Sequence, residues 1–195
     1  MATLTEMIKE LREATGAGVL DCKKALEAAD GDLQKATEAL RKKGLSKAAK
    51  KASRTTADGR VETYVHPGDK LGVVIEVDCE TDFVARTDDF KSLCHELAMQ
   101  VAASSPQWVS REDVPADVVA KESEIYKAQV PAGKPDHIVE RIIEGKMGKF
   151  YGENCLMEQA YIRDDEKTIS QLVTGTIAKL GENIVIKRFA RFQIG

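Results

Sequence analysis

Aromatic side chains are scarce in this chain. Phe, Tyr and Trp together make up 5% of 195 residues, and Trp108 is the one tryptophan. Proteins that stack sugars or bases on ring faces need more of them. Charge of one sign is lacking as well. The 29 basic and 32 acidic residues leave a formal charge of −3, whereas neutralising phosphates takes a basic surplus, so direct nucleic-acid binding is not expected. Cysteine is limited to Cys22, Cys79, Cys94 and Cys155. These are far apart, contain no CxxC pair, and read as reduced thiols rather than as a disulfide framework. Long apolar runs are missing too: stretches such as Val73–Ile75 fall far short of the roughly 20 residues that span a bilayer. The first residues, with Glu6 and Lys9, form no signal-peptide core. A cytoplasmic protein with no membrane partner is expected.

Catalytic templates are also missing. No GxxxxGK[ST] loop is present, and Gly16 and Gly18 do not complete a GxGxxG turn after a strand, which argues against both common nucleotide-binding loops. His95-Glu96-Leu97-Ala98-Met99 begins like HExxH but has Met99 in place of the second ligand, so no zinc site forms there. No GxSxG elbow occurs. No covalent catalysis, cofactor or metal is expected.

What is there is a change of period along the chain. Leu4, Met7, Ile8 and Leu11 fall at helical spacing, and Thr15-Gly16-Ala17-Gly18 breaks that helix. Val19, Cys22, Ala25, Leu26 and Ala29 line one side of a second helix. Asp32 then caps a third, which carries Leu33, Ala36 and Leu40 and stops at Gly44. Residues 1–45 thus read as a three-helix domain. Residues 46–58 read as a basic helical linker that overlaps the basic run Arg41 to Arg54 and ends in a flexible joint at Thr55 to Asp58. From Gly59 the pattern alternates. Val61, Thr63 and Val65, then Leu71, Val73, Ile75 and Val77, flank a Pro67-Gly68 turn, which predicts an antiparallel hairpin. Helical spacing returns from Asp88 to Val101, after Pro115, and around Ile138, Ile142 and Met147, with Pro131-Ala132-Gly133-Lys134-Pro135 as a break. An irregular stretch leads to a helix at 168–180 and a last strand through Ile184, Ile186, Phe189 and Phe192. Pairing that strand with the hairpin gives an α+β core at 59–195, a three-stranded antiparallel sheet with helices on one face. Its open edges and second face suggest self-association.

The informative segment is Glu76-Val-Asp-Cys-Glu-Thr-Asp-Phe-Val-Ala-Arg86. Thr81, Asp82 and Phe83 leave the strand alternation and predict a tight turn. Asp82 either caps the backbone that follows or projects outward; Phe83 either turns into the core or stands out as a contact tip on a rigid scaffold.

Two long motifs decide between such readings by resemblance. Leu11-Arg-Glu-Ala-Thr-Gly-Ala-Gly-Val-Leu-Asp-Cys-Lys-Lys-Ala-Leu26 and Glu76–Arg86, with its Thr81-Asp82-Phe83-Val84-Ala85 centre, are similar to the two signatures of the elongation factor Ts family. Asp78 stands where the family usually has Asn. Lys47–Ala52, Gly133-Lys134-Pro135, Gly181–Ile184 and Arg191-Phe192 extend the resemblance over the full chain. It implies a guanine-nucleotide exchange factor that promotes GDP release from elongation factor Tu, GDP-bound or nucleotide-free. It also implies a UBA-like N-terminal domain that contacts the partner's GTPase domain through Arg12 and Lys23. Thr81, Asp82, Phe83 and Val84 match the segment that enters beside the partner's magnesium and nucleotide. Gln100 stands where several relatives place a histidine, and is carried over as a contact position. Short family members resemble a half that a second copy completes, so a homodimer is expected, built on the uncovered sheet face with Val61, Val65 and Phe189. The alternative is a protein-interaction module of the translation apparatus without exchange activity.

Overall fold

The computed structural model describes residues 3–131 and 133–195. Met1, Ala2 and Ala132, which belong to the expected first domain and the expected break, lie outside the described residues. Helices α1 (Leu4–Thr15), α2 (Val19–Ala28) and α3 (Leu33–Ala49) come first. A hairpin of β1 (Asp58–Val65) and β2 (Leu71–Cys79) follows, then the short α4 (Asp82–Ala85) and α5 (Asp88–Ser104). Helices α6 (Ala116–Ala128) and α7 (Asp136–Asn154) precede a second small hairpin, β3 (Ala160–Tyr161) and β4 (Asp164–Thr168). Helix α8 (Ile169–Leu180) and strand β5 (Ile184–Gln193) end the chain. The main sheet is three-stranded and antiparallel in the order β1-β2-β5, so the last strand does close on the hairpin. The α+β class follows.

The residues gather into two compact units. The first comprises the chain to Glu62 with Ile75–Glu96 and Gln171–Lys187. The second comprises Thr63–Val74, Leu97–Ser170 and Arg188–Gly195.

In the first unit, α1 starts on a reciprocal cap: the Glu6 amide donates to Thr3 Oγ1, and the Thr3 amide donates to Glu6 Oε2 at 2.7 Å, which satisfies two otherwise orphan donors. Gly16, in the left-handed region at φ 66°, ends the helix and donates to Arg12 O at 2.8 Å. Asp32 caps α3 by accepting from Gln34 N and Lys35 N at 3.0 Å. Leu11, Cys22, Leu26, Ala36 and Leu40 form the buried core of the three helices. Val19, expected on that inner side, is exposed instead, because the stripe that turns inward runs from Cys22 to Leu26.

Helix α3 does not stop at Gly44. It continues to Ala49, so the first part of the expected linker is helix. Alanines at 48 and 49 favour this, and the extra turn carries Lys47. Lys43 and Lys47 donate to the two carboxylate oxygens of Asp21 at 2.8 and 2.9 Å, and these bonds hold the Asp21 carboxyl down at about 2. A carboxyl depressed in the folded state contributes stability above its unfolded value near 3.8 and loses it as pH falls towards 2. The lysines are partly solvated, so Asp21→Asn is expected to cost about 1 kcal/mol or less at pH 7. Denaturant titrations at pH 7 and near pH 2 check this, since the difference between the two proteins should vanish in acid.

One glycine of β1 is required by close approach. A Cβ on Gly59 would lie 2.4 Å from Val77 O and 2.7 Å from Asp78 Cα, both backbone atoms of β2. Neither atom swings aside as a side chain would, so the strands must part. Gly59→Ala is expected to destabilise the fold by about 2 kcal/mol and to lower the thermal midpoint by roughly 5 °C, as read by circular dichroism.

In the second unit, the stretch left irregular by the sequence contains the β3–β4 hairpin, paired antiparallel. Its strands are short and its sequence is charged, so no alternation announces it. Two buried amides hold it. Gln100 Oε1 accepts from Ile162 N at 2.9 Å, and its amide nitrogen faces Ala160 O at 3.0 Å and Gln159 Oε1 at 3.2 Å. Gln159 donates in turn to Glu153 O at 2.9 Å.

All four cysteines are free and buried. Burial pushes the thiols of Cys79 and Cys155 up to about 11 and that of Cys94 up to about 12, so they remain protonated and unreactive near neutral pH. Among the described residues, no helix is long and apolar enough to cross a membrane.

Candidate functional site

The candidate site is the segment that follows β2. Val73, Ile75, Val77 and Cys79 are buried on one side of that strand, which fixes where the chain leaves the sheet. Thr81 is extended at φ −136°, ψ 155° and forms the N-cap of α4, its hydroxyl accepting from Val84 N. The turn expected here is therefore one turn of helix, and the cap is Thr81 rather than Asp82. Asp82 is the first residue of α4, where a carboxylate suits the helix dipole; it pairs with Arg86 Nη2 at 2.9 Å, one turn on. Thr87 closes the segment by donating to Val84 O at 2.8 Å and accepting from Phe90 N at 3.3 Å. Phe90 behind it is fully buried. Phe83 does the opposite: its ring is 81% exposed, on a segment whose neighbours are tied down. Val84 is half-buried.

The base of this tip is held from α8–β5. Glu182 Oε2 accepts from Glu80 N at 3.1 Å and from Thr81 N at 3.0 Å, and its Oε1 accepts from Thr81 Oγ1 at 2.7 Å. In return Glu80 Oε1 accepts from Asn183 N at 2.6 Å. Asn183 Nδ2 donates to Arg54 O at 2.9 Å, and Arg54 Nη1 stands 3.4 Å from the Glu80 carboxylate. Cys79 Sγ donates to Thr81 O at 3.2 Å. The motif Gly181-Glu182-Asn183-Ile184 was legible, but its role was not, because about a hundred residues separate it from Thr81.

The N-terminal candidates lie on the three helices. Arg12 is exposed in the last turn of α1. It lines a cleft of about 550 Å³ together with Lys9, Gly16, Gly18, Asp89 and Lys179; Lys179 pairs with Asp89 at 2.6 Å. Lys23 is exposed on α2 and lies 3.7 Å from Glu27. Leu20, which the sequence reading did not single out, is 72% exposed. Its place off the Cys22–Leu26 stripe was the available signal. Gln100 is fully buried and spends its amide on the β3–β4 hairpin. It presents no surface of its own.

The model of the family described as elongation factor TS matches residues 4–195. The chain belongs to the elongation factor Ts family. Among similar proteins named Elongation factor Ts, the one from Thermoanaerobacter sp. (strain X514) is 59% identical over 97% of this chain and 94% of its own length. That from Anaeromyxobacter dehalogenans (strain 2CP-1) is 61% identical, covering 97% of this chain and 87% of the relative. That from Fervidobacterium nodosum is 57% identical over the full length of both. Membership in the elongation factor Ts family makes the chain a translation elongation factor. Among the described residues, no group of three or more His, Cys, Asp or Glu side chains is arranged to hold a metal ion.

Phe189, expected on the uncovered sheet face, is half-buried. The in–out alternation of β5, inward at Ile184 and Ile186, changes phase at Lys187-Arg188, where both residues are exposed. Phe189 and Arg191 therefore turn inward, and Arg191 Nε donates to Ala102 O at 3.2 Å. Phe192 and Ile194 face out, 68% and 70% exposed. Val61 and Val65 are exposed as expected.

Proposed function

We propose that this chain is a guanine-nucleotide exchange factor that accelerates GDP release from elongation factor Tu and makes or breaks no covalent bond. The observation that carries the reading is Phe83, 81% exposed on a short helix whose N-cap Thr81 is held by Glu182 and whose first residue, Asp82, pairs with Arg86. A rigid apolar projection that is solvated in the free protein loses little conformational entropy when it enters a partner, and it gains the transfer free energy of its ring. Phe83 acts as the wedge. Thr81 and Val84 shape the helix that carries it. Asp82, already paired with Arg86, brings negative charge to the tip. Arg12, Lys23 and Leu20 on residues 1–45 supply binding energy away from the nucleotide. Gln100 acts from the interior, by keeping the β3–β4 hairpin in place.

The nucleotide is held in the GTPase partly through magnesium bridging its phosphates. A wedge that displaces the elements around that ion weakens GDP binding. By linkage, GDP weakens binding of the factor by the same ratio, so incoming nucleotide expels it.

The factor works as a homodimer. Val65, Val74, Phe192 and Ile194, all in the second unit, are exposed apolar side chains on outward positions of β1, β2 and the β5 end. Ile194 N donates to Lys70 O at 2.9 Å, which ties the chain end to the hairpin turn.

A stopped-flow assay tests the exchange reading. Elongation factor Tu loaded with a fluorescent GDP analogue is mixed with catalytic amounts of the factor and excess unlabelled GDP. Release should accelerate with factor concentration and saturate. Binding without acceleration would instead favour an interaction module that lacks exchange activity.

A further inference from the structure

We infer that Glu182 is a positioning residue for exchange: its carboxylate aims Phe83 by holding the N-cap of the helix that carries it. The inference rests on the exchange reading above. The geometry behind it is a reciprocal clasp between two loops. Glu182 accepts the backbone N–H groups of Glu80 and Thr81, at 3.1 and 3.0 Å, on one oxygen, and the Thr81 hydroxyl, at 2.7 Å, on the other. Glu80 returns the contact by accepting Asn183 N at 2.6 Å.

The hydroxyl bond matters beyond its own strength. A threonine hydroxyl has one proton and two lone pairs. With its proton committed to Glu182, Thr81 Oγ1 turns its lone pairs towards Val84 N, the amide it caps. Without Glu182, that hydroxyl is free to rotate, and two strand-end amides lose a charged acceptor. A four-residue helix has little of its own to fall back on, because so short a segment is unstable alone. The carboxylate acts through the backbone, and its removal should loosen the tip's direction while leaving the ring present.

Three variants test this with the same stopped-flow assay. Glu182→Ala is expected to lower the maximal stimulated GDP-release rate roughly ten-fold, with a change in half-saturating factor concentration of about two-fold or less, because the N-terminal contacts are untouched. Glu182→Gln keeps an oxygen for the two amides and offers an amide nitrogen to Thr81 Oγ1, so it should recover most of the rate. Thr81→Val, which leaves Glu182 in place but removes the hydroxyl, should reproduce part of the loss. Amide hydrogen exchange on the free proteins gives a second reading: Val84 and Ala85 should lose protection in Glu182→Ala while the α5 amides keep theirs, whether or not overall stability shifts. An unchanged maximal rate in Glu182→Ala, or a loss seen wholly in half-saturation, overturns the assignment. Phe83→Ala in the same series separates this from failure of the exchange reading itself: if that variant also exchanges at the wild-type rate, the wedge is wrong. If it is slow while Glu182→Ala is not, only the clasp is.

Discussion

Replacing Phe83 by alanine should slow factor-stimulated GDP release from elongation factor Tu roughly 30- to 100-fold at saturating factor while leaving the factor folded. The two halves of this expectation have separate reasons. Phe83 is 81% exposed, so its loss opens no cavity, and stability should change by about 0.5 kcal/mol or less. An aromatic anchor buried at the centre of an interface, by contrast, typically contributes about 2 to 2.7 kcal/mol, which converts to the stated range at 1.36 kcal/mol per decade. The effect should fall on the rate at saturation more than on the concentration that half-saturates it, because on the proposed reading the wedge acts where the nucleotide is held and the three N-terminal helices bind elsewhere. Stopped-flow release gives the rates and circular dichroism gives the fold. A folded Phe83→Ala protein that stimulates release as well as the wild type would falsify the wedge.

The second large effect concerns assembly. At micromolar concentration the protein should scatter light at twice its 21.4 kDa chain mass, and Phe192→Asp should bring it to the mass of one chain. Phe192 is 68% exposed, so a carboxylate there is solvated in the monomer and costs little. In a two-fold interface every substitution appears twice. Two unpaired carboxylates would be desolvated between apolar faces, at several kcal/mol, which weakens dimerisation by at least about 100-fold. The Phe189→Asp change is a useful contrast. That position is half-buried on the other side of β5, so its substitution should reduce folding stability. A wild-type protein that runs as a single chain would end the proposal.

Much of this is legible in the sequence. Thr15-Gly16 ended α1 and Asp32 capped α3 because both roles are local: a left-handed backbone position and a side-chain oxygen within three residues of the amide it serves. The β1–β2 hairpin showed in its alternation, and the closing strand in its apolar residues. Gly44 read as a stop, since glycine is a poor helix former, but Asp21 reaches Lys43 and Lys47 from another helix and the helix continues. The β3–β4 hairpin does not show in the sequence because its short, charged strands carry no alternation and the buried Gln100 that holds it lies about sixty residues away.

At the site itself, the sequence determined which residues form the tip. Thr81-Asp82-Phe83-Val84 is a local word, and its resemblance to a family signature needs no third dimension. It could not determine which way the ring points. For an isolated Phe after a strand, inward burial and outward projection are both open, and the choice depends on what already fills the interior: Phe90 and Cys79 occupy it, and Phe83 is left outside. Nor could it determine what aims the ring. Glu182 lies a hundred residues away and acts through hydrogen bonds whose directions only the folded chain defines. Short-range chemistry can be read from neighbours in the chain; direction and support depend on neighbours in space, and those the tertiary structure alone decided.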